Sequence, residues 1–262
     1  MTAQEVLLQI LGLTIRVNDE GREKFIVDDV SLSVKKESIA ALVGGSGSGK
    51  TTLGLAILKL LSPALEVTRG QIIFKEKDLF TLNQEEVRAI RGREIAMVFQ
   101  EPLYAFNPVF KIGDQISEVL EFHSPLSQSA RREKVLEALH QVGMKDPLRV
   151  FQSYPHQLSG GMRQRAMIAQ AIVSEPSLLI ADEPTSNLDV TLQAKIIELF
   201  AELREKLKLS ILLITHDLGM VEHLADDVTV LYQGRVVESG TVKSVMKQPQ
   251  HNYTIELMKA LA

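Results

Sequence analysis

Apolar positions along the chain follow two rhythms. Leu13, Ile15 and Val17 alternate with polar neighbours, Asn18-Asp19-Glu20-Gly21 supplies turn residues, and Phe25 to Val34 resumes as strand. That pattern predicts an antiparallel pair. Lys35-Lys36-Glu37 turns the chain into Ser38–Val43, a short apolar run suited to a buried parallel strand. The segment Thr51–Leu61 then reads as a helix that stops before Pro63. Gly70–Phe74 is a strand. Asn83, with Glu86 three residues on, resembles a capping box opening a short helix to Arg91. Glu94–Phe99 is another strand, ending at Gln100.

From Ile112 to about Gly143 the spacing becomes helical: Ile112, Ile116, Val119, Leu120, then Val135, Leu136, Leu139, Val142. Ser127 or Ser129 is placed to cap the second of these helices and Gly143 to end it. A helical insert between two strands of an α/β core is the simplest account. The α/β rhythm then returns, with a helix over Gly161–Ser174 broken by Glu175-Pro176, a strand over Ser177–Ala181, a helix over Val190–Leu207 and a strand over Ser210–Thr215. Asp226–Tyr232 and Arg235–Glu238 make a closing hairpin around Gln233-Gly234. No internal repeat is visible, which predicts one unit and not a tandem pair.

Composition narrows the function classes. At 262 residues the chain can bury a full core. Its net charge of −4 and pI near 5.9 argue against nucleic acid as the main partner. It has no Cys, which excludes disulfides and thiolate metal sites. No apolar run approaches the ~20 residues needed to span a bilayer. Glu5–Leu11 is apolar but carries Glu5 and has no basic residue before Arg16, unlike a signal peptide. Membrane association is therefore expected to come through a partner.

The candidate chemistry centres on Gly44-Gly45-Ser46-Gly47-Ser48-Gly49-Lys50-Thr51, a G-x-x-x-x-G-K-[ST] loop between a predicted strand and a predicted helix. That arrangement aims free backbone N–H groups and a positive helix end at a polyphosphate. Lys50 would reach the β- and γ-phosphates, and the Thr51 hydroxyl would ligate Mg²⁺. Leu178–Ala181 runs apolar into Asp182 and Glu183, placing carboxylates at the carboxyl end of a parallel strand. Strand neighbours point to opposite faces, so separate roles follow: Asp182 for the Mg²⁺ shell and Glu183 to deprotonate an attacking water. Ser159 with Gly160 and Gly161 reads as a capped helix start and a second anion-binding terminus. His216 follows another presumptive core strand at Ile214-Thr215-His216-Asp217.

Taken together, these pieces resemble the ATP-binding cassette (ABC) ATPases. Leu158-Ser159-Gly160-Gly161-Met162-Arg163-Gln164-Arg165 is similar to that family's signature, and the remaining motifs stand in the family's order. The resemblance implies a RecA-like P-loop NTPase core with an N-terminal antiparallel β subdomain and an inserted α-helical subdomain. The expected boundaries are residues 1–100 and 158–240 for the nucleotide-binding core, 101–157 for the helical subdomain and 241–262 for a short C-terminal helical segment. ATP and Mg²⁺ are the implied ligands. Gly44, Gly45, Ser46, Gly47, Ser48, Gly49, Lys50, Thr51, Thr52, Gln100, Ser159, Gly160, Gly161, Gln164 and Asp189 are the implied nucleotide-binding set, with Thr51, Gln100 and Asp182 on the metal. Glu183 and the switch histidine His216 are the implied catalytic pair. Ser186-Asn187-Leu188-Asp189 is similar to the family's D-loop. A head-to-tail dimer would close Ser159, Gly160 and Gly161 of one subunit on the γ-phosphate held by Lys50 of the other.

Within the family the chain is most similar to the peptide and nickel importer ATPases. Phe99-Gln100-Glu101-Pro102-Leu103-Tyr104-Ala105-Phe106-Asn107-Pro108, Ser153–Leu158 and His251-Asn252-Tyr253-Thr254 carry that likeness. The implied partners are integral membrane permeases, a second ATPase subunit of the same or a different kind and, indirectly, a substrate-binding protein, with no nucleic acid. The implied place is peripheral, on the cytoplasmic face of the inner or cell membrane. The substrate stays open between peptides and nickel or a metal chelate, and a soluble non-transport cassette ATPase is the alternative class. Val17 stands where the family's adenine-stacking aromatic aligns, and Phe25 is the only aromatic before Lys50, which leaves the adenine contact open. Tyr104, Phe106 and Phe110 form an aromatic patch, read either as core or as a permease-docking surface.

Overall fold

In the computed structural model, residues 5–19, 22–101, 105–186 and 188–259 are described. In chain order the strands and helices are β1 (Val6–Asp19), β2 (Arg22–Lys35), β3 (Ile39–Val43), α1 (Lys50–Ile57), β4 (Leu65–Phe74), β5 (Lys77–Asp78), α2 (Gln84–Ile90), β6 (Ile95–Val98), α3 (Ile112–His123) and α4 (Gln128–Gln141). They continue as α5 (Pro147–Gln152), α6 (Gly160–Ile172), β7 (Leu178–Asp182), α7 (Val190–Leu207), β8 (Ser210–Thr215), α8 (Leu218–Leu224), β9 (Asp227–Tyr232), β10 (Arg235–Thr241), α9 (Val242–Lys247) and α10 (Asn252–Lys259). The chain divides into two units, Met1–Arg88 with Ser210–Ala262, and Ala89–Leu209.

The first unit holds two layers of strand. An antiparallel sheet runs β2-β1-β4-β5, with Leu8 opposite Phe74 and Leu13 opposite Val30. The predicted β1–β2 hairpin is present, but its inward face changes parity. Leu8 and Ile10 are buried before Gly12, and Leu13 and Ile15 after it, because the register shifts between Ile10 and Leu13. A bulge inserts one residue there and flips the following side chains to the other face. Strand β4 begins at Leu65, earlier than the expected Gly70, because Val17, Arg16 and Ile15 continue to pair with Leu65, Glu66 and Val67.

In the same unit β3 lies between β8 and β9, parallel to both, while β10 pairs antiparallel with β9. Every residue of β3 and β8 is buried, as strands covered on both faces require. Ala41 and Val43 pack with Leu218 and Val221 of α8, Val228 and Val230 of β9, and Val242 and Val245 of α9. The Asp226 carboxylate accepts from the Ile39 amide at 2.8 Å, and Lys35 pairs with Asp227 at 2.5 Å. Both contacts fix the strand that delivers the glycine loop. Helix α1 stops at Ile57, short of the expected Leu61. Lys59 turns left-handed at φ 50° and the Leu60 amide reaches back to the Leu55 carbonyl at 2.9 Å.

The second unit combines the parallel pair β6–β7 with helices α3 to α7. Ser127 caps α4 through the Ala130 amide at 3.3 Å, and Gly143 leaves its end at φ 75°, as the sequence predicts. Helix α5 was not foreseen. It is six residues long, too short for periodicity to show, and is started by Asp146 capping Arg149 with Pro147 in the first turn. Gln115 of α3 is buried; its side chain accepts from the Asn107 amide at 2.8 Å and donates to the Asn107 and Phe110 carbonyls at 3.0 Å. This one amide holds the loop before α3. The aromatic patch is split: Phe106 is 3% exposed and belongs to the core, whereas Phe110 is 53% exposed. Tyr104 lies outside the described residues.

Gly113 of α3 shows why a helix interior carries a glycine here. A Cβ on it would lie 2.3 Å from the Phe151 ring of α5, over which the Arg132 guanidinium sits at 5.9 Å. Gly113→Ala is therefore expected to destabilise the protein by about 1–3 kcal/mol through overpacking. In a Phe151→Ala background the same change should stabilise by up to about 1 kcal/mol, since alanine is then only the better helix former. Urea unfolding of the four variants reads both signs; an unfavourable Gly113→Ala effect of equal size in both backgrounds overturns the packing account.

Candidate nucleotide and metal site

The loop Gly44–Gly49 leaves the end of β3 and feeds α1. Gly44 is buried against the Leu231 carbonyl, where a Cβ would stand at 2.2 Å, and Gly49 turns at φ 104° with its missing Cβ 2.7 Å from the Ile26 carbonyl. Any side chain at either place would force the loop off its support. The Gly234 amide donates to the Ser48 carbonyl at 3.1 Å, so the β9–β10 turn braces the loop from behind. Ser46, Gly47 and Thr51 are exposed, while Gly44, Ser48 and Lys50 are buried, and Thr52 is half-buried. Lys50 Nζ donates to the Gly44 and Gly45 carbonyls at 2.8 and 2.9 Å.

The start of α1 has no side-chain cap and no acidic residue in its first turn. By contrast Ser127, Asp146, Ser159, Asp189, Asp217 and Thr241 each cap their helices with an oxygen. The positive end of α1 thus carries no competing side-chain oxygen, beside a buried Ser48 Oγ that has no hydrogen-bond partner. These features fit a polyphosphate. Among the described residues no cluster of three or more His, Cys, Asp or Glu forms an all-protein metal cage. Thr51, exposed in the first turn of α1, offers a hydroxyl oxygen of the kind that Mg²⁺ takes beside substrate phosphates. His216 lies exposed in the turn between β8 and α8, next to Asp217, whose amide donates to Thr215 Oγ1 at 3.0 Å.

In the second unit, β7 ends at Asp182, which is 2% exposed. Glu183 is outside the strand, at φ 44°. The two carboxylates are therefore separated by a left-handed backbone turn and not by strand alternation. Such a conformation is costly for a non-glycine residue and is concentrated at functional positions. Two neighbours hold the turn. Gln164, 1% exposed on α6, donates to the Pro184 carbonyl at 2.6 Å. Gln100 Nε2 donates to Glu183 Oε2 at 3.1 Å, and its carbonyl accepts from Ser186 Oγ at 3.0 Å. Gln100 thus orients the candidate base directly, and Gln164 supports it from the buried side.

Ser159 caps α6 by accepting from the Met162 amide at 3.3 Å, and Gly160 beside it is exposed with no atom within 4 Å of where its Cβ would be. Gly161 is buried against Leu192 of α7, where a Cβ would stand at 3.1 Å. Asp189 caps α7 through the Leu192 amide at 2.9 Å, so the D-loop acid sets the helix that packs on Gly161. Asn187 lies outside the described residues. Sequence reasoning missed Gln115, and it assigned Gln164 to the nucleotide from the family likeness, whereas the structure buries that side chain on the Pro184 carbonyl. Tyr253 was singled out only within a family-like stretch, yet its hydroxyl accepts from the Gly45 amide at 2.7 Å.

Comparison with known proteins agrees with this geometry. Residues 27–186 match the family model described as ABC transporter. The chain is 47% identical over 255 residues to the dipeptide transport ATP-binding protein DppD of Bacillus subtilis, covering 97% of this chain and 76% of that one. It is 46% identical over 260 residues to the peptidoglycan transport ATP-binding protein YejF of Agrobacterium fabrum, covering 99% of this chain but 48% of that protein, so it spans about half the length of that relative. The dimeric ATP-binding cassette MJ0796, in a post-hydrolysis state bound to ADP and Pi, superposes with a TM-score of 0.80 at 26% identity, over 90% of this chain and 99% of that one. The glycine loop with its uncapped helix, the acidic strand end and the capped signature helix are thus the parts of a P-loop NTPase fold, and the chain belongs to the ABC transporter family.

Proposed function

We propose that this ABC ATPase uses ATP binding and hydrolysis to drive the uptake of peptides through integral membrane permease subunits. It works as a pair with a second ATPase subunit, at the cytoplasmic face of the membrane and supplied by a substrate-binding protein. The observation that carries the ATPase reading is the uncapped start of α1 behind a glycine loop. The peptide reading is supported by likeness over nearly the whole chain to a dipeptide transport ATP-binding protein. Among the described residues no helix is long and apolar enough to cross a membrane.

In this reading the Gly44–Gly49 loop, with Gly44, Gly45, Ser46, Gly47, Ser48 and Gly49, cradles the phosphates together with Lys50 and the start of α1 at Thr51 and Thr52. Thr51, Gln100 and Asp182 supply protein oxygens to Mg²⁺, which neutralises phosphate charge when bound. Glu183, oriented by Gln100, takes a proton from the attacking water. His216 steadies the γ-phosphate. Ser159, Gly160 and Gly161 act on the nucleotide of the partner ATPase, and Gln164 and Asp189 hold the segments that carry Glu183 and the signature. The nucleotide-binding core comprises residues 1–100 and 158–240, with 101–157 as the helical subdomain and 241–262 as a C-terminal helical segment. Val109, 69% exposed, and Phe110 form the apolar edge that docks the permease.

Glu183→Gln should keep ATP binding and slow hydrolysis by about 10²–10⁴-fold, the size of a lost general base. The unhydrolysed nucleotide should then hold two ATPase subunits together, giving a shift from monomer to dimer in sizing chromatography with ATP and none with ADP. If the natural partner is a different ATPase chain, the shift requires that chain. Hydrolysis at the parental rate refutes the base assignment.

Replacing Val109 and Phe110 together by Ala should leave ATP turnover by the isolated chain intact while peptide uptake by the assembled transporter fails. Uptake at the parental rate, with normal assembly on the permeases, overturns the docking assignment.

A further inference from the structure

Gly45 is the second residue of the phosphate loop and carries no side chain of its own to hold it. It stands between Gly44, which is buried on the Leu231 carbonyl, and the exposed tip Ser46–Gly47. A glycine-rich loop loses more conformational freedom on ordering than any other backbone. If nothing orders it beforehand, nucleotide binding bears that cost and loses affinity by the same amount. Lys50 bridges the Gly44 and Gly45 carbonyls from within the loop, but its ammonium is also the group that phosphate claims. A contact from outside the loop falls on the Gly45 amide. It comes from the Tyr253 hydroxyl, 208 residues away in sequence.

Tyr253 is itself held on several sides. Its ring lies against Tyr232 at the end of β9, with centroids 4.1 Å apart and planes 32° from parallel. With Leu257 and Met258 it packs on the cluster that contains Val43, the last residue before the loop. The turn into α10 is pinned by Glu238 of β10, whose carboxylate accepts from the Gln250 and His251 amides at 2.9 and 3.0 Å. Burial raises the pKa of that carboxyl, but the hydrogen bonds it accepts outweigh burial and leave it below its ordinary value, in keeping with a fixed anion there. The Tyr253 amide donates to His251 Nδ1 at 3.2 Å. The fit with Gly45 is close: a Cβ on Gly45 would stand 3.0 Å from the Tyr253 hydroxyl oxygen.

We infer that Tyr253 is a positioning residue for nucleotide binding: its hydroxyl holds the Gly45 amide, and through it the phosphate loop, in the conformation that receives ATP. The C-terminal helix is thereby part of the nucleotide site without touching nucleotide. This rests on the reading of Gly44–Thr51 as the phosphate loop, and the experiment separates the two.

The test uses the full chain. Equilibrium binding of a fluorescent ATP analogue should weaken by about threefold to tenfold in Tyr253→Phe, the loss expected for one hydrogen bond. Gly45→Pro removes the donated N–H, so Tyr253→Phe added to it should cause no further loss. Amide hydrogen exchange in the nucleotide-free protein should rise over residues 44–48 in Tyr253→Phe while β3 stays protected, a reading that holds even if Gly45→Pro fails to fold. Unchanged affinity in Tyr253→Phe, an equal loss in the Gly45→Pro background, or unchanged exchange at the loop each overturns the inference. Lys50→Ala is the control: it should abolish ATP hydrolysis, and near-normal turnover by that folded variant would overturn the phosphate-loop reading itself.

Discussion

A helix end left uncapped governs the design of this protein. No side-chain oxygen caps the start of α1, because Gly49 has no side chain and no acid stands in the first turn. An exposed loop before it is only useful if the loop keeps its shape, and glycines alone cannot hold one. The support comes from behind, as backbone: the Leu231 carbonyl under Gly44, the Ile26 carbonyl under Gly49, and the Gly234 amide on the Ser48 carbonyl. Those contacts involve β2, β9 and the β9–β10 turn, so three parts of the chain must be in place before the loop is. The Asp226 and Asp227 contacts to Ile39 and Lys35 then matter to chemistry although they lie at the far end of β3.

The acidic end of β7 solves a different problem. Asp182 is buried at the end of a strand covered on both faces, a place where a charge is costly unless ligands compensate it. Glu183 departs at once into a left-handed turn, which sends the second carboxylate into a less buried environment. Alternation along a strand reaches the same separation of roles for the wrong reason. The turn stores strain, and Gln164 and Gln100 are the residues that fix it, one on the backbone of Pro184 and the other on the Glu183 side chain.

What the sequence made legible was what local chemistry decides. The glycine loop, the α7 span, the hairpin at Gln233-Gly234 and the reciprocal Asn83–Glu86 cap all rest on residues close together in the chain. Asn83 Oδ1 accepts from the Glu85 and Glu86 amides while Glu86 accepts from the Asn83 amide. Contacts that join distant segments were invisible. The parity change at Gly12, the early start of β4 and the Tyr253 bond to Gly45 leave no local trace. The aromatic patch shows the limit clearly, since composition puts Phe106 and Phe110 together while the fold buries the first and exposes the second.

That split has a mechanical consequence within the second unit. Gln100 is bound to the candidate base at one end of a short stretch of chain, and Phe110 is presented to solvent at the other, its carbonyl held by Gln115 of α3. Gln115 also accepts from the Asn107 amide, so the loop and the first turns of α3 form one hydrogen-bonded piece. A partner that moves Phe110 therefore moves α3 with it. At Gln100 the tolerance is small, because a hydrogen bond of 3.1 Å weakens steeply once its geometry is lost. The exposed Phe110 and the carboxylate of Glu183 are thus each held by a glutamine amide, and neither glutamine can be replaced by a residue of similar size but no amide without losing that bond.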